Sequence, residues 1–541
     1  MLTSLIAAVS SLSTSLAPCD VAIIGGGPAG VHTAYKLAPK LAAQSVCLFE
    51  KEDHLGGFVG NNFPIGLHGS ITGTGGYRVR EDQYTFALGH ELKKLGAAMS
   101  PPIALDFAPE AKHSQLIGVE HPSGAAKNYF AYDTKAFAQF YNTSTTPLDV
   151  EKAAVCGRLQ PKDLKTMSMP DYLKWLSDKM APHTNTYQYL KDTSVFKSIF
   201  ETRMDATSVL DFLAKDATAG KVYYPTPSFN AYFDIMERDI DAHHQRIYKS
   251  TAVASVSHST ETQLPYEIKL SDGRSVKTKQ VIIAINPPAL WQLSGDVIES
   301  LKKKPEFNDV AWAKVVTITY QFGDGKTASS GFWNVPDNVV HPQDENFVGE
   351  LAAPDLLPRE SLVNFSRMLP PGPCKGKKIY VNRTELPFDA YHNEINVARM
   401  VYVDDDEAVE GYRCLYRNGG IDAVNAELLP LLRQIYPKVF ADMSALPNRE
   451  GVDAHFQVHD PAWFFLKTGA AAKGITNASI FAWSKNPLGP KEKVSLLGHA
   501  WRPDIAGWSN GAYLTSIYLL NREFGFNIDP MEPKTLNCQA K

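Results

Sequence analysis

The chain has 541 residues, 44% of them hydrophobic and 21% charged, the composition of a packed globular protein too long for one ordinary domain. A net charge of -4, with no long Lys/Arg run beyond Lys302-Lys303-Lys304, excludes the basic footprint of a nucleic-acid binder. No stretch approaches the roughly 20 apolar residues that span a bilayer, so no membrane span is expected.

The first residues, "MLTSLIAAVSSLSTSLAPCD", are apolar and rich in small side chains. They read as a signal peptide over 1–17, lacking the usual basic start, and predict secretion. Sequons begin at Asn142, Asn364, Asn382 and Asn477, close to the number chance would give. Six cysteines are too few for a disulfide framework at this length, and one or two bridges are expected.

The most legible segment follows, "DVAIIGGGPAGVHTAYKL". Val21 to Ile24 form a short β-rich run, a glycine turn comes at once, and a helical pattern continues through Ala34 and Leu37. Gly25, Gly27 and Gly30 fit G-x-G-x-x-G, with Pro28 and Ala29 between them. The first glycine allows the turn, the second lets backbone approach a pyrophosphate, and the third permits close helix packing. The phosphates then sit on the helix N-terminus. A second strand, Ser45 to Phe49, ends in Glu50, at the distance where an acid receives ribose hydroxyls and disfavours a 2′-phosphate. The paired glycines Gly56 and Gly57 come just after it.

From about Asn128 to Ala217 the sequence turns helical. In "TMSMPDYLKWLSDKM", Ser168 stands three residues before Asp171 and Pro170 falls in the first turn, the signature of a helix start. "TAVASVSHST", "YEIKLSDGRSV" and "KQVIIAINPP" then read as three strands, with Asp272-Gly273 as a hairpin turn. A second β-rich block runs from Ala313 to "ARMVYVDDD", and the chain closes on "GWSNGAYLTSIYLLNREFG", a helix entered through a glycine turn. No zinc spacing, P-loop or nucleophile elbow is present, so no metal site is expected.

These segments together resemble the flavin-containing amine oxidase superfamily, most closely its L-amino acid oxidases. The likeness runs nearly end to end, although only short motifs are specific. It implies a mixed α/β fold in which a Rossmann-like FAD-binding domain (18–70, 248–298 and 480–541) is interleaved with a β-rich substrate domain (71–110 and 299–479) and a helical insertion (111–247). It also implies FAD held without a covalent link by Gly25, Gly27, Pro28, Ala29, Gly30, Glu50, Gly56, Gly57, Gly76, Tyr77, Val253, Gly498, His499, Trp508 and Ser509.

The segment "GGYRVREDQY" looks like the one that carries the family's carboxylate-binding arginine, and Arg78 falls on that position, with Arg80 a nearby competitor. An arginine suits the task because its planar fork donates two parallel hydrogen bonds and keeps its charge. In "AWAKVVTITYQF", Lys314 matches a lysine that the family places near flavin N5 through water, so it is the expected catalytic residue. Tyr402 matches a tyrosine that helps grip the carboxylate, and Gly507 with Trp508 matches a glycine and aromatic beside the substrate. Two positions depart from the pattern: Phe58 stands where an arginine usually follows the paired glycines, and His499 replaces an acid before the final motif.

The resemblance therefore implies oxidative deamination of an L-amino acid to a 2-oxo acid, ammonia and hydrogen peroxide, with molecular oxygen as second substrate. A homodimer is compatible with it. A monoamine or polyamine oxidase and a flavin-dependent desaturase are the alternatives, and a flavin-free relative of the GDP-dissociation inhibitors is the most distant one.

Overall fold

The computed structural model describes residues 15–60, 62–65, 70–73, 79–99, 103–105, 114–117, 129–130, 147–182, 186–193, 196–216, 220–223, 225–226, 229–322, 360–385, 397–435, 440, 443–507, 509–535 and 538. Gly76, Tyr77, Arg78 and Trp508 lie outside them, as do residues 1–14.

Two seven-stranded sheets organise the chain. In the first, β1 (Cys19–Ile24) lies between β2 (Val46–Phe49) and β3 (Ser275–Ile283), parallel to both. Strand Arg246–Tyr248 adds to the free side of β2, and Val494–Leu496 adds parallel to β3. The hairpin strands Val253–His258 and Tyr266–Leu270 complete it antiparallel. Every residue of β2 is buried, and so is all of β1 except Asp20, because both faces of the sheet are covered. One face packs on α1 (Pro28–Leu37) and the C-terminal helix α3 (Asn510–Phe524). The other packs on a core containing Ile24, Ile283, Phe464 and Trp501.

"YEIKLSDGRSV" and "KQVIIAINPP" do not make separate strands beyond the turn: Ser275–Ile283 is one continuous strand, reached through the turn at Gly273. The helix Asn230–Ala242 falls within 111–247, the range expected to form the helical insertion, and strand Arg246–Tyr248 straddles its end. Their side chains Phe233, Met236 and Ile240 pack on the nucleotide core instead, and the strand pairs with β2.

The second sheet runs in the order β6 (Ala454–Leu466), β4 (Val310–Gln321), β5 (Val397–Val403), Lys378–Glu385, Glu360–Met368, Ser114–Ile117 and Tyr129–Phe130. One face of its central strands lies under the helical run α2 (Asp406–Ile435), broken at Gly419 and Gly420. Helices Pro147–Val155, Met169–Met180 and Ala206–Asp216 form a separate core against the start of β4 and the end of β6. Ser168 caps the second of these, its side chain accepting from the Asp171 N–H.

Three disulfides, Cys19–Cys47, Cys156–Cys538 and Cys374–Cys414, use all six cysteines, more than the one or two bridges expected. Spacing could not show this, because pairing is decided by strands and helices far apart in sequence. Asn477 is buried, its amide bonded to Ser208 and Asp211, so that sequon is closed to modification in the folded chain. Among the described residues, no helix is long and apolar enough to cross a membrane.

Candidate active site

The glycine turn is shaped by contacts that leave no room for side chains. Gly25 has φ +105°, and a Cβ there would stand 2.6 Å from the Ala284 carbonyl oxygen of the neighbouring strand segment. A Cβ on Gly30 would collide with the Gly25 carbonyl oxygen, which is how closely α1 approaches the turn. Gly27, by contrast, faces open space, with nothing within 4 Å of a built Cβ. It is also the N-cap of α1, where no side chain caps the helix and Pro28 begins it. An uncapped helix end beside an open glycine is a place for an anion.

Glu50 is buried at the edge of this cradle. Its Oε2 accepts from the Gly26 N–H at 2.6 Å and its Oε1 from the Glu52 N–H at 2.9 Å. The Gly56 N–H donates to the Gly26 carbonyl at 2.7 Å, folding the paired glycines back over the first loop. The Thr251 N–H donates to the Glu50 carbonyl at 2.8 Å and brings the start of the Val253 strand against the same acid. These bonds tie the glycine turn, Glu50, the paired glycines and the start of the Val253 strand into one cluster beside the open N-terminus of α1.

The cradle leads toward β6. The Phe58 ring, next after the paired glycines, meets the ring of His459 edge-on at 4.3 Å. Nε2–H of His499 donates to the Ala462 carbonyl at 3.1 Å, and its ring lies 4.9 Å from Phe464. Because a carbonyl only accepts, this bond fixes the proton on Nε2 and leaves Nδ1 as an acceptor. The surrounding protein pushes the His499 imidazolium down to about 4, so the ring is neutral at physiological pH. Gly498 donates its N–H to Thr515 Oγ1 in α3, and Ser509 stands at the N-terminus of that helix, which no side chain caps. A Cβ on Gly507 would lie 3.8 Å from the Trp463 ring. Gly27, Gly57, Phe58, Gly498 and His499 are all half-buried although they lie where the molecule's cores meet, so they keep open surface at that junction.

Strand register divides the second sheet into two chemically different faces. Val316, Ile318 and Tyr320 point into the apolar core under α2. On the other face Thr317 is opposite Tyr402 and Gln457, and Thr319 is opposite Arg399 and His455. Thr317, Thr319, Arg399 and His455 are buried, so this is an internal polar surface. The Arg399 guanidinium lies 5.8 Å from the centre of the Tyr402 ring. Burial, with the Arg399 charge adding to it, pushes His455 down to about 4.

Tyr402 therefore stands at the junction, 6.2 Å ring to ring from Trp463. Lys314 does not join it. Its Nζ lies 3.0 Å from Glu410 and 3.9 Å from Asp460, in a cluster that Arg413 completes from α2. The lysine that the resemblance expects near flavin N5 has its ammonium engaged by Glu410 in the structure. Two residues before Val316, Lys314 shares by strand alternation the face that lies under α2, where Glu410 stands. Arg80, the competitor of Arg78, is buried and held by Asp82 at 2.8 Å.

His459, Trp463 and Arg399 were not singled out from the sequence. The signal available was "VHDPAW", where His459-Asp460-Pro461 interrupts an otherwise apolar alternating strand. Among the described residues, no group of His, Cys, Asp and Glu is arranged to hold a metal ion.

A family described as NAD(P)-binding Rossmann-like domain matches residues 23–71, the segment that holds the glycine turn, Glu50 and the paired glycines. No curated protein matches the chain. Among solved structures, a cofactor-binding redesign of putrescine oxidase with one substitution aligns at TM-score 0.59 and 13% identity, over 93% of this chain and 98% of that one. Wild-type putrescine oxidase bound to putrescine aligns at TM-score 0.58 and 14% identity, over 94% and 100%. The chain thus has, along nearly its whole length, the mixed α/β fold of putrescine oxidase, with a nucleotide-binding Rossmann-like segment at its start.

Proposed function

We propose that the protein is a flavin-dependent oxidoreductase of the amine oxidase type, binding FAD without a covalent link and oxidising a small-molecule amine with molecular oxygen as acceptor. The observation that carries this reading is that the paired glycines run straight into Phe58, whose ring meets His459 on the second sheet, while His499 bonds to the same strand at Ala462. A groove that holds only a nucleotide needs no such extension onto the second sheet. The Rossmann-like match and the putrescine oxidase fold support it.

The N-terminus of α1 and Glu50 would hold the pyrophosphate and ribose, and the uncapped N-terminus of α3 would face the ring system. When bound, FAD supplies the two-electron acceptor that the side chains lack. The protein's own part is to align the amine, exclude water and keep the nitrogen neutral, since burial beside apolar and aromatic walls disfavours an ammonium. Neutral His499, with Nδ1 free to accept, adds no positive charge that would repel the amine as it arrives. Because all six cysteines are in disulfides, none is left to attach flavin through a thioether. The same three bridges suit an oxidising compartment and support a secreted protein.

An L-amino acid as substrate is the second reading, and Arg399 favours it. A buried guanidinium on the same polar face as Tyr402 is a cation suited to a carboxylate and ill suited to a second ammonium. Arg78 lies outside the described residues and enters neither reading.

Purified protein should be yellow, and denaturation followed by filtration should release the colour. Anaerobic addition of monoamines, diamines and the proteinogenic amino acids, followed by absorbance bleaching, separates the two substrate classes. Colourless protein that takes up no added FAD would sink the proposal and favour a flavin-free relative. Bound flavin that no amine or amino acid bleaches would point to a desaturase.

A further inference from the structure

The helix α1 carries a histidine in its second turn, and both ring nitrogens are engaged. His32 Nδ1 lies 2.8 Å from Ser516 Oγ of α3, and Nε2 lies 3.0 Å from the hydroxyl of Tyr84, the first residue of the helix Tyr84–Lys93. Thr33 Oγ1 donates to the Ala29 carbonyl at 2.7 Å and lies 2.7 Å from Ser516 Oγ. His32, Thr33 and Ser516 are fully buried and Tyr84 nearly so. Burial, with the Lys36 charge adding to it, holds the His32 imidazolium well below its ordinary range, so the ring is neutral. The relay then has one direction, because each hydroxyl has a single proton. Thr33 gives its proton to Ala29 and so accepts from Ser516. Ser516 in turn accepts from His32 Nδ1–H, and the bare Nε2 accepts from Tyr84.

Three helices well separated in sequence are tied by this relay, and two of them present uncapped N-termini, α1 beside the open Gly27 and α3 after Ser509. The third is joined to the start of α3 a second time, since the Thr85 N–H donates to Asn510 Oδ1 at 3.4 Å. Toward the C-terminal end of α1, Tyr35 and Lys36 meet Glu91 at 2.8 and 2.6 Å. The relay instead finishes on Ala29, in the first turn of α1, and so ties the end nearest the cradle. Apolar packing sets how close two helices lie but tolerates sliding and rotation, whereas a directed and fully satisfied chain of hydrogen bonds does not. Such a chain, set into the apolar core that α1 and α3 share, makes sense where the relative placement of the helix ends matters.

We infer that His32 is a positioning residue for the cofactor: through Ser516 and Tyr84 it holds the N-termini of α1 and α3 in the relative placement that one FAD molecule requires, pyrophosphate at the first and ring system at the second. This rests on the amine oxidase reading above. Being fully buried, His32 acts through other residues, so its effect appears only for a ligand that reaches both helix ends. ADP occupies the α1 end alone and separates this role from general support of the fold.

His32→Leu keeps a similar volume and removes both bonds, so FAD should bind roughly tenfold more weakly while ADP affinity stays within about twofold. Tyr84→Phe, the milder change, removes one bond and should weaken FAD about threefold, and it should add nothing in the His32→Leu background. FAD bound equally by variants and wild type, or FAD and ADP weakened in the same proportion, overturns the inference and leaves His32 a core histidine. A readout independent of flavin is the ring itself. In 15N spectra of the 15 histidines, with His32→Leu assigning the signals, His32 should be neutral with its proton on Nδ1. A proton on Nε2, or an imidazolium, overturns the relay. Wild-type protein that binds ADP but no flavin overturns the functional reading and this inference with it, a result distinct from FAD that binds every variant alike.

Discussion

The nucleotide cradle and the polar face of the second sheet do comparable work by different means. In the cradle the groups that would meet a ligand are backbone: the open Gly27, the uncapped end of α1, and a turn whose shape is set by Gly25 and Gly30. One side chain, Glu50, completes it, and that too is tied to the loop through the Gly26 N–H. On the second sheet the backbone is consumed by strand pairing, so recognition falls to side chains. Thr317, Arg399, Tyr402, His455 and Gln457 come from three strands, and Trp463 is held by a fourth segment at Ser198. The difference teaches that the cradle should fail abruptly on a small steric change, whereas the sheet face should respond in graded steps.

The largest effect is expected at Gly30. Gly30→Ala drives a methyl group into the Gly25 carbonyl and should cost on the order of 3 kcal/mol through forced separation of α1 from the turn. Flavin content at purification and the melting temperature measure it together. A variant that keeps both at wild-type values would break the claim that steric fit governs this half.

Glu50→Gln sharpens the same point at lower cost. It retains the shape but removes the charge that accepts from Gly26 and would receive the ribose. Hydrogen bonds to a charged group are worth about 1.5–3 kcal/mol, so FAD should bind roughly 10- to 100-fold more weakly in titration. Unchanged affinity would make Glu50 a purely structural support of the loop.

Acid should act on the junction between the two regions through His499. Its folded pKa of about 4 lies below the ordinary 6.5, so the unfolded chain binds the proton first. The stability this neutral ring contributes is fully present above pH 6.5 and is lost as the pH falls toward about 4. His499→Gln should flatten that part of the melting-temperature profile. Identical slopes in the two proteins would show that other groups govern acid unfolding.

The smallest effect is expected at Lys314. Its ammonium is paired with Glu410 in a cluster on the α2 side, and part-exposed pairs contribute about 0–1 kcal/mol. Lys314→Met should lower the melting temperature slightly and leave both flavin half-reactions near wild type in stopped-flow absorbance. A selective loss of reoxidation by oxygen would return Lys314 to the cofactor and overturn the face assignment.

Much of the cradle was legible because its residues are close in sequence and its constraints are local. The glycine spacing, the strand–turn–helix order and Glu50 at the end of β2 are all read within residues 20–57. The C-terminal helix was legible for the same reason, entered at Gly507 and closed at Gly525 with φ +65°. Lys314 shows where such reading stops. Its strand was recognised, but the groups its ammonium meets, Glu410 of α2 and Asp460 of β6, come from elements distant in sequence that only folding brings beside it.

The sequence by itself determined the Rossmann-like start, the second β-rich block and the closing helix, because hydrophobic period and glycine sterics act over a few residues. Tertiary structure alone decided which face of the second sheet is polar, that all six cysteines pair, and that Phe58 meets His459 while His499 bonds to the same strand at Ala462. These depend on register and on packing between segments separated by hundreds of residues. Local propensity cannot fix them, because a one-residue slip in register sends each side chain to the opposite face.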